Sequence, residues 1–175
     1  MSPEQEEAFR NAAALRMVPL RRVAFALCGE WHAADDLVQT ALVKLYVGWP
    51  LRDPGAVDGW LRQTMVRAWI DETRRPWWRR ERVTDQLPDT ARVLGAENAA
   101  DAGDLVRELD RLPPRQRACL VLRFLDDCSV EQTAQVLECA TGTVKSQTSR
   151  GLTSLRRRLT PAAPPTVPAK ERTRP

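Results

Sequence analysis

Side chains that bind phosphates and base edges cluster in one short segment near the end of the chain. They share one face of a predicted helix and are Thr143, Lys145, Ser146, Ser149 and Arg150. Hydroxyl, ammonium and guanidinium groups donate hydrogen bonds to phosphate oxygens, and arginine also binds the edge of guanine. The segment 141–159 contains no acidic residue that would repel a phosphate. The pattern predicts a helix that binds nucleic acid.

A helix-turn-helix would position that face. Ser129 and Gln132 form a capping box, which starts a helix by satisfying two backbone amides. Apolar residues recur at helical spacing until the tight segment 138–142, and a second helix follows. Its apolar stripe is made by Val144, Thr148, Leu152, Leu155 and Leu159. A short helix, a tight turn and a basic helix are typical of a motif that enters the major groove. The alternative is a helical hairpin whose basic face is only solvated.

The distribution of charge supports a nucleic-acid partner more than the total charge does. The 175 residues include 27 Lys and Arg and 23 Asp and Glu, a net charge of +4. Residues 83–104 carry one basic and five acidic side chains, whereas residues 105–175 carry 13 basic and 7 acidic ones. A basic block beside an acidic connector favours a polyanionic partner, although it does not define a base sequence.

Helical periodicity runs through nearly the whole chain, and no segment alternates as a strand would. We predict an all-α fold with two small helical domains, residues 3–82 and 105–159, the second being the helix-turn-helix. A flexible acidic linker, residues 83–104, joins them, because this segment lacks aromatic residues and is rich in Ala, Asp and Thr. The tail 160–175 holds five prolines and is expected to be disordered.

Three helices are predicted in the first domain, over residues 3–28, about 33–47 and 57 to about 75. Pro19 is expected to kink or interrupt the first helix, and Gly29 to end it. Asp35 and Asp36 fall at the predicted start of the second helix. Two carboxylates there could simply complement the helix dipole, or they could belong to a binding surface.

The third predicted helix interleaves basic and aromatic side chains. It carries Arg62, Gln63, Arg67, Arg74 and Arg75, with Trp60 and Trp69 among them. Such interleaving suits single-stranded nucleic acid, because bases stack on rings while arginines follow phosphates. The alternative is that Trp60 lies in the core and the arginines form a solvated face.

Several functional classes are disfavoured by composition. The four cysteines form no C-x-x-C pair, and His32 has no ligand neighbour at metal spacing, so reduced thiols are favoured over a metal site. We find no phosphate-cradling glycine loop and no catalytic constellation, and therefore expect neither a cofactor nor an enzyme. No apolar run reaches membrane-spanning length and the first residues lack a secretion pattern, which predicts a cytoplasmic protein without membrane insertion.

Three segments together resemble the extracytoplasmic-function (ECF) RNA polymerase sigma factors, especially actinobacterial members. They are DDLVQTALVKLY, WLRQTMVRAWIDETRR and LDRLPPRQRACLVLRFLDDCSVEQTAQVLECATGTVKSQTSRGLTSLR. Their order, their spacing and the short acidic linker all match, and the resemblance covers about residues 5–159. It implies an alternative sigma factor that directs promoter recognition and transcription initiation.

The resemblance also implies partners and site residues. Core RNA polymerase would contact the second helix through Asp36, Leu37, Gln39 and Leu42. The third helix, through Arg62, Gln63 and Arg67, would bind and melt the minus-ten promoter element, and the helix-turn-helix would bind the minus-thirty-five element. Many relatives also have an anti-sigma protein as a partner. Two positions depart from the family, since Arg67 stands where Asn is common and Gln147 where Arg is common.

A different class of protein also fits part of the pattern. An autonomous helix-turn-helix regulator would bind DNA as a dimer and use its first half as a sensor. Such a dimer needs a self-complementary interface, and no heptad or dedicated apolar patch provides one. The paired helical domains and the DDLVQ segment favour the sigma factor.

Overall fold

The computed structural model describes residues 2–49, 54–74 and 99–159, and every regular element in these ranges is helical. In chain order they are α1 (Pro3–Cys28), α2 (Trp31–Gly48), a 3-10 turn (Pro54–Ala56), α3 (Val57–Thr73), α4 (Ala99–Asp110), α5 (Pro114–Leu120), a π-helical turn (Val121–Leu125), α6 (Val130–Leu137) and α7 (Thr141–Leu159). The all-α prediction is confirmed.

The expected linker and tail fall mostly outside the described residues. Of the range 83–104, the structure describes only the part from Ala99 onward, which is helical and forms the start of α4. Residues 160–175 and the segment 75–98 are not described.

Helix α1 has the predicted bounds but is more regular than the sequence predicted. Ser2 caps it by accepting a hydrogen bond from the Gln5 amide at 3.2 Å, and the Gln5 side chain accepts one from the Ser2 amide at 2.9 Å. The helix continues through Pro19, so the proline does not interrupt it. Gly29 ends it in the left-handed conformation (φ 78°), where its amide donates to the Phe25 carbonyl at 2.7 Å.

Helix α2 begins earlier than predicted, and this changes the interpretation of its acidic residues. Glu30 caps the helix by accepting hydrogen bonds from the amides of His32 (2.7 Å) and Ala33 (2.8 Å). Asp35 and Asp36 therefore lie beyond the first turn, and the prediction that they complement the helix dipole is wrong. Asp35 instead forms a two-point ion pair with Arg21 of α1, at 2.5 and 3.0 Å.

The cores of the two predicted domains are continuous. The buried cluster includes residues of α1–α3, such as Leu27, Leu45 and Leu61, and residues of the C-terminal half, such as Leu122 and Val144. A second, smaller cluster joins α4, α5 and α7 through Leu109, Leu112, Leu120 and Leu155. The helix-turn-helix thus packs directly on α3 through α6. Trp69 of α3, which is 1% exposed, is the largest fully buried side chain.

Candidate nucleic-acid and polymerase surfaces

The predicted nucleic-acid face of α7 is open to solvent. Lys145, Ser146, Ser149 and Arg150 are exposed, and Thr143 is half-buried. On the opposite side Val144 is fully buried and Leu155 is 8% exposed, so the helix is anchored along its predicted apolar stripe. At the end of the stripe Leu159 is 49% exposed and does not belong to the core. This face carries two cations and several hydroxyl groups at the spacing that contacts with duplex DNA need.

The preceding helix and turn fix the position of α7. The predicted capping box is present, because Ser129 accepts from the Gln132 amide at 3.0 Å and the Gln132 side chain accepts from the Ser129 amide at 2.7 Å. Glu138 ends α6 in a left-handed conformation (φ 48°). The chain then turns within three residues, so that α7 begins at Thr141. These bonds confirm the helix-turn-helix prediction.

Gly151 sets how closely α7 approaches α5, a role that the sequence analysis missed. A Cβ atom at this position would lie 2.9 Å from Cδ1 and 3.2 Å from Cγ of Leu120. A larger residue would therefore push the recognition helix away from its support. The relevant pattern is a lone glycine in the middle of a predicted helix, which often marks close packing.

The predicted polymerase residues of α2 fall into two groups. Asp36 and Gln39 are exposed, whereas Leu37 is 5% exposed and lies in the core, and Leu42 is half-buried and packed against the core. In the structure, Leu37 therefore supports α2 from inside.

Asp36 and Gln39 begin an exposed stripe on α2, and this stripe continues with apolar residues that were not predicted from the sequence. Val43, Tyr46 and Val47 are 63%, 48% and 78% exposed, respectively, and they follow Asp36 and Gln39 at helical spacing. A stripe that combines a carboxylate, an amide and exposed apolar side chains has the composition of a protein-binding surface.

The predicted nucleic-acid residues of α3 face the helix-turn-helix. Arg62 donates two hydrogen bonds to Asp126, at 2.5 and 3.3 Å, and these bonds hold the pKa of Arg62 above its usual value. Arg67 pairs with Glu138, and the Gln63 amide donates to the same carboxylate at 3.2 Å. The structure thus brings these three side chains together, and each contacts an acceptor on α6 or its flanks.

The aromatic residues of α3 are less accessible than single-strand stacking requires. Trp60 is partly buried and packs against the core, as the alternative interpretation expected. Trp69 is 1% exposed, and its ring lies beneath the Arg117 guanidinium, at 5.9 Å. The ring of Trp69 fills the junction with the C-terminal half, so only for Trp69 is the expectation of a ring that stacks on bases wrong.

Two of the three arginines that precede the helix-turn-helix have structural contacts. Arg117 is 1% exposed, donates to the Ala26 carbonyl at 2.8 Å and forms an ion pair with Asp110 at 2.6 Å. Arg123 donates to the carbonyl of Cys128. Arg115 is exposed. Burial leaves Arg117 without access to a DNA backbone.

Comparison with known proteins identifies the family. The model of Sigma-70 region 2 matches residues 16–79, and that of Sigma-70, region 4, matches residues 102–155. The RNA polymerase sigma-E factor of Streptomyces avermitilis is 37% identical over 86% of this chain and 84% of its own length. The ECF RNA polymerase sigma factor SigM of Mycobacterium tuberculosis is 34% identical over 80% of this chain and 71% of its own length. This chain belongs to the ECF sigma factors.

An ECF sigma factor directs promoter recognition and transcription initiation, and its partners are core RNA polymerase and promoter DNA. The resemblance inferred from the three sequence segments is therefore confirmed, and a dimeric autonomous regulator is not favoured. The two family models cover the first three helices and the helix-turn-helix half, respectively.

Two solved structures share the fold. The sigma factor RpoE, in its complex with the anti-sigma factor NepR from Bartonella quintana, superposes with a TM-score of 0.72 at 24% identity, covering 86% of this chain and 96% of that one. CnrH, in its complex with the cytosolic domain of CnrY, superposes with a TM-score of 0.67 at 21% identity, covering 88% of each chain.

Metal sites and membrane-spanning helices are absent from the described residues. Within residues 2–49, 54–74 and 99–159, no three His, Cys, Asp or Glu side chains converge as a metal site would require. None of the helices in that part of the chain is long and apolar enough to cross a membrane.

Proposed function

We propose that three helices divide the functions of this ECF sigma factor. Helix α7 binds the minus-thirty-five element as duplex, α3 and the loop before it bind and melt the minus-ten element, and α2 docks on core polymerase. The observation that carries the proposal is the exposed, acid-free face of α7 on a capped helix-turn-helix.

For α7, exposure and chemistry support contact with duplex DNA. Lys145 and Arg150 are both exposed and supply positive charge, while Ser146 and Ser149 offer hydroxyl groups between them. Arginine binds guanine specifically, whereas lysine binds phosphates of any sequence. Gln147, which stands where the family commonly has Arg, removes one cation from this helix. The run 156–158 adds three arginines that suit a sequence-independent phosphate clamp.

For α2, the exposed stripe supports a contact with the polymerase. We assign the polar part of that contact to Asp36 and Gln39. We assign its apolar part to Val43, Tyr46 and Val47. Monomeric soluble proteins rarely expose several large apolar side chains side by side, unless the patch binds a partner. Leu37 and Leu42 then hold the helix in place from the core side.

For α3, the supporting observation is the composition of its cationic face. Arg62, Gln63 and Arg67 lie within two turns of α3. Guanidinium and amide groups at this spacing can follow the phosphates and base edges of an unpaired strand.

Regulation and cell compartment follow from the same assignment. We infer that an anti-sigma protein can bind this chain, since one solved structure with its fold is a sigma factor in complex with an anti-sigma factor. We further expect a cytoplasmic regulator without enzymatic activity, because a sigma factor supplies promoter contacts while the polymerase carries out the chemistry.

In vitro transcription on matched templates tests this division. Reconstituted holoenzyme is assayed on a duplex promoter and on the same promoter pre-melted over the minus-ten element. Arg150→Ala should lower transcription about tenfold on both templates, since a base-contacting arginine contributes roughly 1–3 kcal/mol. Arg67→Ala should be impaired on the duplex and rescued on the pre-melted template. Arg10→Ala, which removes an exposed arginine from α1, is the control and should match the wild type. Equal rescue of Arg150→Ala and Arg67→Ala would refute the proposed division.

A further inference from the structure

The three arginines that end α7 do not share one side of the helix. Residues seven positions apart in an α-helix lie on nearly the same side. Arg156 and Arg157 follow Ser149 and Arg150 by seven positions, and both are exposed. These two arginines therefore continue the nucleic-acid face of α7.

Arg158 instead continues the side of α7 that packs on the other helices. It follows the buried Gly151 by seven positions and the buried Leu155 by three. The Arg158 side chain is 31% exposed, and its Nη1 atom lies 3.8 Å from Oε2 of Glu108 on α4. The guanidinium of Arg158 is therefore directed to α4 rather than to the nucleic-acid face.

The carboxylate of Glu108 is stabilised by a cation at this position. Its side chain is only 13% exposed, and its Oε1 atom accepts a hydrogen bond from Arg111 at 2.5 Å. Its Oε2 atom is buried and accepts no hydrogen bond. A buried carboxylate oxygen is costly unless a donor or a cation lies near it. Among the described residues, Arg158 supplies that cation.

Apolar packing fixes this end of α7 only in part. A cavity of about 240 Å³ lies between α4, α5 and the C-terminal part of α7, and its lining includes Leu109 of α4 and Leu155 of α7. Side chains around a cavity lack part of their van der Waals contacts. The pair of Glu108 and Arg158 joins the same two helices, one position before Leu109 and three after Leu155.

We infer that Glu108 is a positioning residue for DNA binding: through Arg158 it fixes the end of α7, so that Arg156 and Arg157 alone form the phosphate clamp. Arg156 lies about 16 Å beyond Lys145 along the helix axis. A change in the tilt of α7 therefore displaces the clamp more than it displaces the residues near the turn. This inference rests on the proposed DNA-binding function of α7 and narrows the clamp from three arginines to two.

Removal of the acid separates positioning from plain repulsion of DNA, because the two roles predict opposite changes in affinity. Glu108→Gln removes a negative charge, yet it should weaken binding of the reconstituted holoenzyme to a fluorescent duplex promoter about threefold, through loss of the ion pair. Asp104→Asn makes the same kind of change at an exposed acid of α4, and as the control it should not weaken binding. Arg111→Gln removes only the outer partner of Glu108 and should also leave binding unchanged.

A double-mutant cycle shows whether Arg158 acts through Glu108. Arg158→Gln should weaken promoter binding about threefold in the wild-type background and have no further effect in the Glu108→Gln background. Arg157→Gln should weaken binding in both backgrounds, and it should lower the slope of log affinity against log salt by about 0.9, the value for one phosphate contact. Urea unfolding of the free chain, followed by circular dichroism, checks folding and measures the coupling of Glu108 and Arg158 without DNA. Should Glu108→Gln not fold, Glu108→Asp, whose side chain is shorter, replaces it in the cycle.

The outcomes separate the positioning role from the function on which it depends. Weaker binding of Glu108→Gln, with no further loss in the double variant, supports the inference. Unchanged or tighter binding of Glu108→Gln overturns it, and so does an equal loss for Arg158→Gln in both backgrounds, since Arg158 would then contact DNA directly. Wild-type binding of both Lys145→Gln and Arg157→Gln would instead overturn the proposed function of α7. The positioning role in DNA binding would then be refuted with it, even where urea unfolding shows the coupling.

Discussion

Replacing the buried Arg117 should destabilise the whole protein without touching a DNA contact. In Arg117→Ala the Ala26 carbonyl loses a donor at 2.8 Å, and Asp110 loses its partner at 2.6 Å. Breaking a buried ion pair from one side typically destabilises by about 3–5 kcal/mol. Asp110 remains one-third exposed and can be hydrated, so we expect the lower end, about 3 kcal/mol. For a chain of this length that corresponds to a fall of roughly 6–12 °C in the melting temperature.

Urea unfolding followed by circular dichroism measures the change, and two further variants define its cause. Arg117→Met keeps most of the packing over Trp69 while it removes the polar bonds, so it should lose nearly as much, about 2–3 kcal/mol. Arg115→Ala, an exposed arginine on the same helix, should stay within about 0.5 kcal/mol of the wild type.

The Arg117 variants also discriminate between a structural role and a DNA contact. If Arg117 contacted the DNA backbone, Arg117→Ala would weaken promoter binding about as much as other phosphate contacts do and would leave the unfolding free energy unchanged. That outcome, or a loss of stability below about 1 kcal/mol, would refute the structural role.

Three shorter predictions address other parts of the molecule. The double variant Asp36→Arg with Gln39→Arg should no longer co-purify with core polymerase, although its helicity is retained. The control Glu7→Arg on α1 should co-purify normally. Normal co-purification of the double variant would show that α2 is not part of the interface. Gly151→Val should destabilise the fold by about 1–3 kcal/mol, because the added side chain collides with Leu120. Gly59→Ala should stabilise the fold by roughly 0.5–1 kcal/mol, because a Cβ atom there meets nothing within 4 Å. Thermal melts measure both changes. Burial raises the pKa of Cys119 and of Cys128 to about 11. Because the folded protein holds these protons more tightly than the unfolded chain does, the two thiols contribute fully to stability below about pH 8. Their contribution to stability is lost as the pH rises from about 9 to 11. Each thiol should lower the unfolding free energy at pH 10 by about 1 kcal/mol relative to pH 8, and Cys119→Ala should halve that dependence.

Features that depend on neighbouring residues were predictable from the sequence. The capping box of α6, the turn after it and the polar face of α7 all arise from residues within about one helical turn of each other, so their pattern survives in the linear chain. The end of α1 at Gly29 was predictable for the same reason. The start of α2 was missed because its cap is Glu30, a residue type that seldom caps a helix.

The contacts between the first three helices and the C-terminal half were not predictable, because they join residues that are distant in the sequence. Arg62 and Asp126 are 64 positions apart, and Arg117 and Ala26 are 91 positions apart. Side chains of this kind are mostly exposed in proteins, so solvation was the reasonable expectation until the packing of α3 on α6 was known. The same packing explains why Trp69, taken from the sequence as a stacking residue, is buried.

The placement of charge around the helix-turn-helix has a consequence for the order of events at a promoter. Helix α6 directs its flanking acids toward α3, while α7 carries none, so one small domain presents an anionic side inward and a cationic side outward. In the structure both the docking stripe of α2 and the face of α7 are exposed. On the proposed assignment, polymerase and the upstream element can therefore be engaged while Arg62, Gln63 and Arg67 still contact these acids.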